Sequence, residues 1–137
     1  MEFRKSRSYC QKGALALACL LIAHGASAAT IQEVSVAELL GGSELVVHGE
    51  IIDRWTDTGT DETQIYTYLR IQVFDVIKGD VPGGTVDIRF LGGRSGRYVL
   101  DISDQYVPPL GDEAVYFIEN PSRNQVNPLT GWRQGHF

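Results

Sequence analysis

The stretch IYTYLRIQVFDVI, residues 65–77, decides the fold, because its side chains alternate in character with a period of two. One side of the pattern is apolar and the other polar or aromatic: Ile65, Leu69, Ile71 and Val73 against Tyr66, Tyr68, Arg70 and Gln72. A period of two is typical of a β-strand with one buried face and one wet face. The alternation slips over residues 74–77, which indicates a β-bulge. We therefore predict one long, bent strand.

Further strands are predicted on both sides of this one. ELVVHGEII, residues 44–52, alternates with Val46 on the outer side, and its Gly49 indicates a close approach of another backbone. TVDIRFL, residues 85–91, alternates as well. AVYFI, residues 114–118, is continuously apolar, which is typical of a central strand buried on both faces. WRQGHF, residues 132–137, resembles the start of a last strand, and residues 92–113 are predicted to be irregular.

One short helix precedes these strands, in SVAELLGG at residues 35–42. Ser35 and Glu38 have the spacing of a capping box, in which each side chain bonds the backbone of the other residue. Gly41 and Gly42 are expected to close the helix, since glycine accepts the left-handed conformation.

One helix and five strands predict an all-β protein, a five-stranded antiparallel barrel of the oligonucleotide/oligosaccharide-binding type (OB-fold). A β-sandwich is the alternative, although it usually has about seven strands. The order of five stretches resembles that of a group of secreted bacterial proteins of unassigned function: SELVVHGEI (43–51), IYTYLRIQVFDVIKG (65–79), VDIRFLGG (86–93), GDEAVYFI (111–118) and GWRQGHF (131–137).

The same order is similar, more distantly, to the netrin-like barrel of the tissue inhibitors of metalloproteinases. That resemblance implies a fold and, as an alternative function, a protease inhibitor-like domain. In those inhibitors the first mature residue is a cysteine that binds the protease zinc. Residues 29–137 of this chain hold no cysteine, so that residue does not carry over.

The N-terminus has the pattern of a secretory signal peptide. A basic segment with Arg4, Lys5 and Arg7 precedes the apolar run GALALACLLIA (13–23), and Ala26-Ser27-Ala28 matches a signal peptidase site. We predict a helical signal peptide over residues 1–28 and one domain over residues 29–137, either secreted or periplasmic. An uncleaved N-terminal anchor is the alternative; after cleavage no stable membrane anchor is expected.

Charge limits the partners of the predicted domain. Of 12 Lys and Arg residues, four lie in the signal, and of 17 Asp and Glu residues one does, so residues 29–137 carry a net charge of −8. Nucleic acids and anionic membrane surfaces would be repelled by such a domain. Both cysteines lie within residues 1–28, so the domain is predicted to be stable without a disulfide.

The glycine-rich segment RFLGGRSGRYV, residues 89–99, is a candidate phosphate loop by composition alone. Its glycines lack the spacing of a P-loop, and no lysine follows them. We predict instead a strand end and a flexible loop. Arg94 and Arg97 on that loop are candidates for binding an anionic group of a partner.

The sequence matches known catalytic and metal-binding motifs only weakly. Asp57-Thr58-Gly59 matches the catalytic loop of aspartic proteases, so a hydrolase that uses Asp57 is a second alternative function. Two catalytic carboxylates that share a proton need an apolar surrounding, whereas the residues on both sides of Asp57-Thr58-Gly59 are polar. The acidic residues between 53 and 62 could hold Ca²⁺, without the EF-hand spacing. We predict no catalytic residue, metal or cofactor.

Tyrosines two apart on one strand lie on the same face, so Tyr66 and Tyr68 form a candidate platform for a sugar or a peptide. Cross-strand packing is the alternative for this pair. Trp132 is a further candidate contact. The sequence therefore predicts an exported, non-catalytic binding module for a protein or a glycan, with Tyr66, Tyr68, Arg94, Arg97 and Trp132 at the ligand.

Overall fold

The computed structural model describes residues 33–58 and 64–137. The predicted signal peptide, residues 1–28, lies outside the described residues. The described part is mainly β, with a helix α1 (Val36–Gly42) and the strands β1 (Leu45–Thr58), β2 (Ile65–Lys78), β3 (Thr85–Leu91), β4 (Gly93–Ser95), β5 (Tyr98–Leu100) and β6 (Glu113–Ile118), followed by a 3-10 helix (Trp132–Gly135).

The sheet is antiparallel, with the strand order β3-β2-β1-β6, and β4 pairs with β5 in a separate hairpin. The prediction of a mainly β fold with one short α-helix is confirmed. The number of strands differs, since six are described where five were predicted. The stretch expected to be an irregular, flexible loop contains the β4–β5 hairpin, and WRQGHF forms a 3-10 helix with only an isolated bridge at His136.

Three bulges curl the sheet where β1 and β2 pair. Two of the bulges lie on β2. Ile77 is an extra residue because the neighbours Val46 and Val47 pair with Lys78 and Val76. Phe74 is an extra residue because His48 and Gly49 pair with Asp75 and Val73. Ile52 is an extra residue on β1, since the partners of Ile51 and Asp53 are Ile71 and Arg70. Bulges increase the local twist of a strand and bend it. The predicted slip over residues 74–77 is confirmed, whereas the bulge at Ile52 was not predicted.

The concave face of the curled sheet carries the main core. Leu69 and Ile71, predicted to point inward, are fully buried. Ile88 and Phe90 of β3 join them from the neighbouring strand. The cluster is completed by residues of β1, β6 and the C-terminal segment: Leu45, Val47, Ile51, Ala114, Tyr116, Ile118 and Leu129.

Helix α1 covers the opposite face of β1 and β6. Its capping box is confirmed, with the Ser35 and Glu38 side chains bonded to each other's backbone N–H groups. Leu39 packs on Val46 and Phe117 in a second apolar cluster. Val46, on the opposite side of β1 from Leu45 and Val47, is therefore completely buried by the helix.

The helix ends without left-handed glycines, which corrects the expectation for Gly41 and Gly42. Ser43 follows the helix in an extended conformation, and its hydroxyl donates to the Leu39 carbonyl at 2.7 Å. The Lys78 ammonium donates to the carbonyls of Leu40, at 2.7 Å, and Ser43, at 2.6 Å. The Lys78 ammonium of β2 therefore bonds carbonyls at the end of helix α1, the role that a glycine cap was expected to have.

Strand β6 is buried on both faces as predicted for AVYFI, but it lies at the edge of the sheet rather than in its centre. The C-terminal segment covers that edge. Thr130 N–H donates to the Phe117 carbonyl at 2.8 Å, and Phe137 exchanges two backbone hydrogen bonds with Val115. The edge is thereby shielded from pairing with another chain.

A polar cluster closes the core beside β6. The Tyr116 hydroxyl donates to the carboxylate of Asp112 at 2.8 Å and lies 2.9 Å from its carbonyl oxygen. The His136 ring nitrogen lies 2.6 Å from the same carboxylate. Burial, with the hydrogen bond and the charge of Asp112, raises the pKa of Tyr116 far above its usual value.

We expect Tyr116 to make the protein sensitive to alkaline unfolding. A pKa that is raised in the folded state gives stability that is complete below the unfolded-state value of about 10 and declines as the pH rises beyond it. Urea unfolding measured across this range should show that decline. Tyr116→Phe should reduce its slope and Tyr98→Phe, at an exposed position, should not. An unchanged slope in Tyr116→Phe would contradict the assignment.

Candidate functional site

A cleft of about 310 Å³ opens between the concave side of β1 and β2 and the β4–β5 hairpin. This volume lies at the lower end of the range of small-molecule sites, about 300–1,000 Å³. Apolar side chains line part of this cleft. Its polar lining comes from four parts of the chain and consists of Arg54, Thr67, Arg94, Asp101 and Gln105.

Two glycines bring the hairpin over the sheet. Gly92 and Gly93 have φ values of +111° and +138°, in a region that favours glycine. A Cβ atom at Gly93 would lie 2.7 Å from the Thr67 hydroxyl oxygen and 2.9 Å from the Thr56 methyl carbon. The Thr67 hydroxyl donates to the Gly92 carbonyl at 2.8 Å, and the Thr56 hydroxyl donates to the Arg94 carbonyl at 2.9 Å. The glycines of RFLGGRSGRYV therefore serve a close backbone crossing.

The bulge at Ile52 places Arg54 in the cleft. Before the bulge, Ile51 faces the core; after it, Arg54 lies opposite Leu69, a core residue, so both are on the concave side. If Ile52 were a regular strand residue and not a bulge, strict alternation from Ile51 would turn Arg54 to the convex face. Sequence reasoning missed Arg54, because two adjacent isoleucines conceal where the alternation changes.

Gln105 contributes an acceptor with no partner. Its amide nitrogen donates to the Leu91 carbonyl at 3.1 Å, which fixes the orientation of the amide. The other end of the amide, Oε1, is buried and accepts no hydrogen bond among the described residues. Because buried acceptors are normally satisfied, this oxygen calls for a donor. Sequence reasoning missed Gln105, and no signal in the chain singles it out.

Arg54 and Arg94 differ from the other basic side chains that the structure describes. Six of the eight are engaged within the protein: Arg70 with Asp87, Lys78 with two carbonyls, Arg89 with the Ser122 carbonyl, Arg97 with Tyr98, Arg123 with Glu119, and Arg133 over the Tyr106 ring. The guanidinium groups of Arg54 and Arg94 have no such partner in the described part of the chain, although Asp101 lines the same cleft. The two arginines without such a partner in the described residues therefore line the same cleft.

The two tyrosines of the predicted platform differ in their exposure. Tyr66 is only 5% exposed, and its hydroxyl is bonded to the Gln64 side chain. Tyr68 instead stacks on Trp55, with ring centroids 5.3 Å apart and planes at 9°, and the Arg70 guanidinium lies 5.3 Å from the Trp55 centroid. The aromatic pair of the convex face is thus a cross-strand stack, the alternative that the sequence left open.

The other predicted ligand contacts are separated. Arg97 lies on the turn of the hairpin, with its guanidinium 5.2 Å from the ring centroid of Tyr98. Tyr98 and Val99 are 63% and 60% exposed. Trp132 begins the 3-10 helix, which contacts β6, and it does not line the cleft. Of the five predicted residues, Tyr66 and Tyr68 share β2, Arg94 and Arg97 share the β4–β5 hairpin, and Trp132 lies apart from both pairs.

Asp57 is exposed on β1, opposite Tyr66, rather than in the dry setting that a shared proton needs. Asp61 and Glu62, two further acidic residues of the candidate Ca²⁺ loop, lie outside the described residues. Within residues 33–58 and 64–137, no cluster of three or more His, Cys, Asp or Glu side chains is arranged for a metal ion.

Comparison with known proteins gives no family for this chain: no protein-family model, curated protein or solved structure matches it. The resemblances drawn from its sequence thus stay predictions. In the described residues no helix is both long and apolar enough to cross a bilayer.

Proposed function

We propose that this chain is an exported, non-catalytic binding module that recognises a protein or a glycan on the hairpin side of its sheet. Export is proposed from the signal-like residues 1–28, and closure of the curled sheet into an OB-type barrel from the strand pattern. The observation that carries the proposal is the exposed hairpin beside a cleft lined by two arginines that no described side chain engages. A ligand there would meet apolar side chains next to these two cations.

The hairpin has the composition of an interaction surface. Tyr98 and Val99 are adjacent and largely exposed, and Arg97 lies against the tyrosine ring. Tyrosine and arginine are enriched at protein interfaces and at binding hot spots, because each offers a large contact area with a polar end. We define this surface, Arg97 with Tyr98 and Val99, as the hairpin surface.

The test compares two double variants on a glycan array and on immobilised envelope proteins of the producing cell. Tyr98→Ser with Val99→Ser removes the hairpin surface, whereas Phe74→Ser with Val76→Ser removes exposed side chains of matched type from β2. We expect retention by the wild type and the β2 variant, and at least about tenfold less by the hairpin variant, as for the loss of a hot spot. No retention by the wild type, or equal retention by the hairpin variant, would contradict the proposal.

A further inference from the structure

We infer that the cleft beneath the hairpin binds a small organic acid, through its carboxylate and a hydrogen-bond donor next to that carboxylate. The inference names the ligand class for part of the proposed binding side and to that extent rests on the proposed function. It is carried by the groups that line the cleft, namely two arginines and one buried amide oxygen that have no partner among residues 33–58 and 64–137.

The arginines call for an anion. A guanidinium forms its strongest hydrogen bonds with a carboxylate or a phosphate, often through two parallel N–H donors. In a domain with twice as many acidic as basic side chains, an arginine without an ion pair is unexpected, and two arginines with no ion pair in the described part of the chain line this one cleft. Asp101 lines the cleft without pairing to either, so the local charge of the three groups is positive.

The amide oxygen of Gln105 sets a second requirement for the ligand, a hydrogen-bond donor. An anion alone would leave this buried acceptor unsatisfied. The donor that we propose for it is an N–H or O–H group of the ligand close to the carboxylate, since Gln105 lines the cleft. Hydroxy acids, sugar acids and acidic amino acid residues all carry such a donor beside a carboxylate.

The size of the cleft and the charge of the domain limit the ligand to a few charges. A volume of about 310 Å³ suits a single sugar or a short peptide. The net charge of −8 over residues 29–137 repels a polyanion at long range. A single carboxylate in direct contact with the two guanidinium groups is stabilised locally, and it carries too little charge for the long-range repulsion to exclude it.

Calorimetric titration with two acids and their neutral counterparts tests the inference on the wild-type protein. The probes are glucuronate against glucose, and acetyl-alanyl-glutamate amide against acetyl-alanyl-glutamine amide. We expect at least one acid to bind at least about tenfold more tightly than its counterpart, since the charged hydrogen bonds are lost with the carboxylate. The acid that binds identifies the source as a sugar or a peptide. Equal binding within both pairs, or binding of neither acid at millimolar concentration, would overturn the inference.

Single variants then locate the site. Arg54→Gln and Arg94→Gln should each weaken binding of the acid at least about tenfold, whereas Arg123→Gln, in the loop after β6 and outside the lining of the cleft, should not. All three positions are exposed, so the fold should survive, which a thermal melt checks. Unchanged affinity in both cleft variants would refute the site. Acid binding without retention of any protein or glycan would leave this inference standing and remove only the proposed function.

Discussion

Ile71→Ala is expected to lower the free energy of unfolding by about 2–5 kcal/mol, the usual cost of deleting methylene groups from a closed core. Ile71 is fully buried in the main cluster of the concave face. Domains of this size have a total stability of about 5–15 kcal/mol, so urea or thermal unfolding should show a large shift. The expectation tests the register of β2, on which the position of the cleft depends.

The same strand supplies the control for that prediction. Ile77, an extra residue of a β2 bulge, is 52% exposed, so Ile77→Ala should cost within about 0.5 kcal/mol. Arg70→Ala should also cost little, because its ion pair with Asp87 is partly exposed to solvent. If Arg70→Ala unfolded the protein and Ile71→Ala did not, β2 would be shifted by one residue and every side chain would exchange faces.

Gly49→Ala is the second change with a large expected effect, about 1–3 kcal/mol or more, since it forces extra volume between two paired strands. A Cβ atom at Gly49 would lie 2.4 Å from the Gln72 carbonyl oxygen and 2.7 Å from the Ile71 Cγ2 atom. The first of these is backbone, which a rotamer change cannot relieve. We expect β1 and β2 to separate locally, with a lower melting temperature and faster amide exchange in residues 71–73.

Gly41→Ala is the matched control, because a Cβ atom there meets no atom within 4 Å and the residue belongs to helix α1. Replacing a glycine by alanine inside a helix should stabilise the protein, by about 0.5–1 kcal/mol. Opposite signs for the two glycine substitutions are therefore expected. If Gly49→Ala were as stable as the wild type, the close pairing of β1 and β2 at this point would be wrong.

Local pattern was enough to predict most of the β2 strand, its bulged end and the capping box of α1. Each of these depends on neighbours within a few residues, as with Ser35 and Glu38. The buried state of Val46 and the cap of α1 by Lys78 were not predictable in this way. Both arise because the helix packs back on the sheet, a long-range contact that alternation does not encode.

The site was less accessible to sequence reasoning than the fold. Arg94 was identified from its place in a glycine-rich segment, but Arg54 joins it only because Ile52 is bulged. Tyr66 was misplaced because tyrosine fits either an exposed or a buried position, its hydroxyl needing only one partner. Trp132 was placed on a strand, whereas a positive φ starts a 3-10 helix there.

The central claim is that ligand is bound on the hairpin side, in the cleft between β1–β2 and β4–β5. Amide chemical shifts of the isotope-labelled protein, followed by NMR while glucuronate and then acetyl-alanyl-glutamate amide are added, test it most directly. We expect the largest changes at residues that line the cleft, namely Arg54, residues 91–94, Asp101, Ile102 and Gln105. Largest changes at the 3-10 helix Trp132–Gly135 or around Phe74, or no change with either acid, would contradict it.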